Sequence, residues 1–100
     1  MPLTHTFNSA DKTLDITITG AFNFDLHADF RESYREVEPN SVTTINVNLS
    51  KADYMDSAAL GMLLLLEDHF EDAEVKLENC SKYIKDVLGV ANFDQKFSIS

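Results

Sequence analysis

The period of the hydrophobic pattern changes along the chain, and this restricts the fold more than any other feature. Leu14, Ile16 and Ile18 alternate with Asp15, Thr17 and Thr19, and Ile45, Val47 and Leu49 alternate with Thr44, Asn46 and Asn48. That is the period of strands with one buried face. Between them Leu26, Phe30, Tyr34 and Val37 recur at helical spacing, with Asp25 as a candidate N-cap and Pro39-Asn40 as the end of the segment. A chain that switches between the two periods in this way builds strands and covers them with helices.

The remaining segments extend the alternation. Leu3 to Asn8 is expected to pair with the Leu14 strand through the turn Ser9-Ala10-Asp11-Lys12, and the strand is expected to give way to a turn at Gly20. The third strand is expected to close at Leu49, with a loop from Ser50 to Asp56. From Ser57 to about Phe70 runs a helix, apolar nearly all round in its first turns, which should be the most buried one. Val75 and Leu77 mark a short strand. Ser81 can cap a third helix with Tyr83, Ile84, Val87 and Leu88 on one side and Gly89 as its C-cap, and Phe97 and Ile99 mark a last edge strand. The order β-β-α-β-α-β-α-β predicts an α/β fold, a mixed β-sheet with helices packed against it, in one domain over residues 1–100.

Composition narrows the function. A net charge of −9 disfavours a grip on nucleic-acid phosphates or anionic lipid and favours a basic or mixed-charge protein partner. Cys80 is the single cysteine, so no intramolecular disulfide forms and a reducing compartment is expected; it reads as a small buried hydrophobe. The longest apolar stretch, Ala58 to Leu66 with Gly61 inside it, is far short of the roughly 20 residues that span a bilayer. A cytoplasmic location without membrane insertion is expected.

Chemistry-bearing patterns are few. His5, His27 and His69 are scattered, with no spacing that would set two metal ligands on one helical face. Gly20, Gly61 and Gly89 make no phosphate loop, and Ser57 lacks the glycine-flanked elbow of serine hydrolases. Neither a catalytic site, a metal nor a cofactor is expected. The pair Asp56-Ser57 stands out, two small polar residues before an apolar helix at the carboxyl end of a strand, where α/β folds bind ligands. Its plain reading is helix capping. Ala58, Ala59 and Gly61 add something capping does not need, small residues that leave the helix start open to another surface.

The run Tyr54-Met55-Asp56-Ser57-Ala58-Ala59-Leu60-Gly61-Met62-Leu63-Leu64 resembles the signature of STAS domains, specifically anti-sigma factor antagonists. The order of elements over about residues 3 to 99 matches as well. So do the Asn46-to-Ser50 strand end, the Gly20-Ala21-Phe22-Asn23 segment and the Leu77-to-Ser81 step. Asn23 and Asn48 stand where the family often has Asp, and a further C-terminal helix usual in the family does not follow the last strand, which would leave a sheet face open for docking.

The resemblance implies a small bacterial partner-switching protein. Ser57 would be the phosphoacceptor of an anti-sigma factor that is also a GHKL-type serine kinase, with a PP2C-type phosphatase as the third member. Asp56, Ser57, Ala58, Tyr54, Met55, Leu60, Phe22 and Asn23 are the expected partner contacts. The alternative within the same resemblance is a constitutive subunit docked on the ATPase of a lipid-transporting ABC system.

Overall fold

The computed structural model describes residues 2–100. Five strands, β1 (Leu3–Asn8), β2 (Thr13–Phe22), β3 (Thr44–Met55), β4 (Glu74–Glu78) and β5 (Ser98–Ile99), form one sheet in the order β1-β2-β3-β4-β5. The hairpin β1–β2 is antiparallel and every other neighbouring pair is parallel. Three helices fill the crossovers: α1 (His27–Glu32), α2 (Ser57–His69) and α3 (Lys82–Val90). The crossovers all step the same way along the sheet, so their right-handed sense sets the three helices on one face.

Burial follows from this layering. Leu14, Ile16, Ile18, Ile45, Val47, Val75 and Leu77 are at most 2% exposed and pack against Phe30, Leu63, Leu66, Ile84 and Leu88 of the helices in one core. The opposite face of the same strands carries polar groups tied across neighbours: Asn46 Nδ2 donates to Asp15 Oδ1 at 2.9 Å, Asn79 Nδ2 to Asn48 Oδ1 at 3.2 Å and Ser98 Oγ to Glu74 Oε2 at 2.9 Å. Among the described residues no helix is long and apolar enough to cross a membrane.

Several boundaries differ from the sequence expectation, each for a physical reason. β3 does not close at Leu49 but continues to Met55, replacing the expected Ser50–Asp56 loop. Two bulges explain this. Thr17 and Thr19 pair with Asn48 and Lys51, and Gly20 and Ala21 pair with Ala52 and Tyr54, so β3 holds an extra residue at each place. The buried positions then fall at Leu49, Ala52 and Met55, a spacing of three that hides the strand from a search for alternation. β2 likewise runs through Gly20, whose φ of 84° suits glycine at the irregular pairing, and turns only at Asn23.

The helices also shift. Asn23, not Asp25, caps the 3-10 turn Phe24–Leu26, its side chain accepting from the Asp25 N–H. α1 stops at Glu32 because the Ser33 hydroxyl bonds back to the Phe30 carbonyl and competes with the ladder, although Tyr34 remains buried beyond the end. Gly89 lies inside α3; the chain leaves that helix through Asn92, which takes the left-handed conformation at φ 59°. Cys80 is half-buried rather than fully buried, its thiol 3.5 Å from the Leu77 carbonyl oxygen, and burial pushes its pKa up despite the opposing charge of Lys85.

Candidate functional site

The bulged end of β3 feeds straight into α2 with one intervening residue. Asp56 has the extended backbone of an N-cap (φ −122°, ψ −176°), and its Oδ1 accepts from the Ala59 N–H at 3.1 Å. The helix start is thus closed by Asp56. Ser57, the first residue of α2, is exposed and its hydroxyl takes no part in the bonds that cap the helix. An N-terminal helical position also faces the unpaired N–H groups and the positive end of the dipole, where added negative charge is tolerated.

Around Ser57 the structure sorts the expected contacts. Tyr54 is 45% exposed, and Asp56, Ala58, Leu60 and Asn23 are half-buried. Phe22 and Met55 are corrected: at 0% and 2% exposure they are core residues, paired across β2 and β3 directly beneath the site, and offer a partner no surface. They hold the two strand ends level, so that the Asn23 turn and the Asp56 cap emerge side by side.

Two aromatic residues join the site that the sequence did not mark. Tyr83 on α3 was grouped with the buried side of that helix, yet it is 45% exposed, stacks on Tyr54 at 6.5 Å between ring centres and donates to the Met55 carbonyl oxygen at 3.2 Å. It ties α3 to the strand end that carries Asp56. Phe24, 61% exposed and stacked on His27 at 4.2 Å, stands in the turn after Phe22. No periodic signal distinguishes an exposed tyrosine at a helix start from a buried one, so Tyr83 was visible only in three dimensions.

α2 is, as expected, the most buried of the three helices, with four buried residues against two in α3 and one in α1, but it is not covered on every side. Only Ala59, Met62, Leu63 and Leu66 are buried, while Leu64 and Leu65 are 37% and 61% exposed and Gly61 is exposed as well. Ser57, Gly61, Leu64, Leu65 and Asp68 lie at i, i+4, i+7, i+8 and i+11, one face of the helix. Leu64 and Leu65 therefore form a small exposed apolar patch on that face, about two turns beyond Ser57. Among the described residues no group of three or more His, Cys, Asp or Glu is placed to hold a metal ion.

Known proteins share this fold. A STAS-domain containing protein of Pseudomonas aeruginosa (strain UCBPP-PA14) is 46% identical over 95 residues, covering 92% of this chain and 93% of that protein. The anti-sigma factor antagonist SpoIIAA in its unphosphorylated form superposes with a TM-score of 0.75 at 20% identity, over 98% of this chain and 86% of that one. The phosphorylated form of SpoIIAA, a Bacillus cell fate determinant, gives 0.67 at 18% identity over 98% and 90%. At such identities the two structures speak to the fold. A family model described as Mlab, STAS domain, matches residues 5–99, and with the close relative it establishes that the chain belongs to the STAS domain family.

Proposed function

We propose that this STAS domain, a binding protein rather than an enzyme, is a phosphorylation-controlled anti-sigma factor antagonist in a cytoplasmic partner-switching pathway. The observation that carries the reading is the division of labour at the helix start: Asp56 makes the cap and Ser57 is left exposed and uncommitted on the helix face that also exposes Leu64 and Leu65. The unphosphorylated form binds an anti-sigma factor that is also a GHKL-type serine kinase, through Ser57, Ala58, Tyr54, Leu60, Asn23 and the outward leucines of α2. That kinase transfers phosphate to Ser57, and a PP2C-type phosphatase removes it. The similarity to a protein known in unphosphorylated and phosphorylated forms supports this reading.

The switch is electrostatic. Phosphate adds about −1.5 to −2 charges next to Asp56, on a chain already at −9. The helix terminus accommodates the anion within the fold, but a partner must then desolvate it against a larger negative patch. Binding is lost locally, with the sheet and helices unchanged.

The second reading is a constitutive subunit on a transporter ATPase, and the Leu64–Leu65 patch favours it equally, since its exposure does not depend on Ser57. Affinity capture from source-cell lysate with wild-type, Ser57→Ala and Ser57→Asp baits separates the two. Partner switching predicts an ATPase-type regulator on the wild-type and Ala baits and none on Asp; one transporter ATPase on all three baits would replace it with the second reading.

A further inference from the structure

The structure holds a second unpartnered surface, away from Ser57, at the free edge of β1. Thr19 N–H donates to the Pro2 carbonyl oxygen at 2.8 Å, which marks that pair as a hydrogen-bonded one. In the register Leu3↔Ile18 through Asn8↔Thr13, bonded and non-bonded pairs alternate, so Thr4, Thr6 and Asn8 bond to β2. The N–H and C=O groups of Leu3, His5 and Phe7 point outward.

This edge lacks the devices that keep sheet edges from pairing. It runs six residues without a charged side chain, an internal proline or a bulge, whereas the opposite edge, β5, is only two residues long. Leu3, His5 and Phe7 lie on the helix-covered side, opposite the buried Ile18, Ile16 and Leu14, and Phe7 is still 39% exposed. Beside the edge is an open groove of about 410 Å³ lined by Pro2, Leu3, Thr4 and His5 together with Asp29 and Glu32 of α1. Glu32 meets Arg35 at 3.3 Å in an exposed pair, and among the described residues Asp29 forms no ion pair.

We propose that β1 is a docking edge for a lysine- or arginine-bearing extended segment of a partner protein, which adds a sixth strand to the sheet. Strand addition supplies backbone bonds to Leu3, His5 and Phe7, and alternate side chains of the added strand fall over the groove. Residues two apart on a strand are about 7 Å apart. Asp29 and Glu32, one helical turn apart, have Cβ atoms about 5–6 Å apart. A basic-x-basic segment therefore meets both carboxylates. A second copy of this chain fits less well, because its own β1 brings neither lysine nor arginine to the groove and its charge is also −9.

The test uses the whole protein and a synthetic blocked peptide of alternating lysine and valine, with a glutamate–valine peptide as control. Amide hydrogen exchange at Leu3, His5 and Phe7 slows at least about tenfold with the lysine peptide and not with the control, since opening of the new ladder becomes limiting. The double charge reversal Asp29→Lys with Glu32→Lys abolishes the protection. His5→Pro removes an outward N–H without touching the β2 ladder and does the same, and Ser57→Asp leaves it unchanged, which keeps this surface separate from the phosphorylation site. Unaltered exchange at the three amides, equal protection by the glutamate peptide, or survival of the effect in the charge-reversed protein overturns the proposal. So does protection that rises with protein concentration alone, which would make the occupant a second copy.

Discussion

Replacing Asp56 by alanine removes the one side-chain bond that closes α2, the 3.1 Å contact to the Ala59 N–H, together with a negative charge at the helix N-terminus. Such caps contribute about 1–2 kcal/mol including the charge–dipole part. For a domain of this size each kcal/mol moves Tm by about 4–8 °C, so a loss of about 1.5 kcal/mol lowers Tm by about 6–12 °C. Asp56→Asn keeps an acceptor in the same place and loses only the charge, for about 0.3–1 kcal/mol. Ser57→Ala removes an exposed hydroxyl that no cap uses and stays within about 0.5 kcal/mol of the parent. Thermal and denaturant unfolding followed by circular dichroism reads all three. If Ser57→Ala falls as far as Asp56→Ala, the serine is part of the cap, and the division of roles on which the functional reading stands is wrong.

Other outcomes follow from the same geometry. Leu63 and Leu65 are two residues apart on α2 but 0% and 61% exposed: Leu63→Ala costs about 2–5 kcal/mol of stability, whereas Leu65→Ser is within about 0.5 kcal/mol and instead weakens partner binding about tenfold, as calorimetric titration would register. The thiol of Cys80 is half-buried with its pKa raised by burial, so it alkylates more slowly in the folded than in the urea-unfolded protein at mildly alkaline pH. Its raised folded pKa also fixes a sign. Its contribution to stability is full below the unfolded thiol pKa and is lost as pH rises through the folded value, so Cys80→Ala flattens the alkaline fall in stability; a steeper fall in that variant would reverse the assignment.

The sheet and helices were legible because Leu14–Ile18 and Ile45–Leu49 keep the period of strands, and Leu26, Phe30 and Tyr34 keep helical spacing through α1 and the turns on either side of it. What was not legible comes from places where the period breaks or where burial depends on neighbours. The two bulges of β3 convert alternation into the three-residue spacing of Leu49, Ala52 and Met55, which sequence logic reads as a loop. Phe22 and Met55 sit next to the site in sequence and beneath it in space, and only pairing across β2 and β3 reveals that. The leucines after Gly61 carry no mark that tells Leu63 from Leu65. Their difference depends on which face of α2 meets the sheet and α1, and that same ambiguity hid the exposed pair Leu64 and Leu65. Tyr83 reaches the site from α3, 26 residues after Ser57 in the chain.

Ser57 decides the matter through a comparison of two affinities. The captured regulator is titrated calorimetrically with protein unmodified at Ser57 and with protein carrying phosphoserine there, incorporated during synthesis so that no kinase is needed. Like charge forced into a desolvated contact predicts binding at least about 100-fold weaker for the phosphorylated form, about 2.8 kcal/mol, with circular dichroism and Tm little changed. Equal affinities for the two forms would contradict the account and leave Ser57 as an ordinary exposed residue at the head of a permanently docked helix.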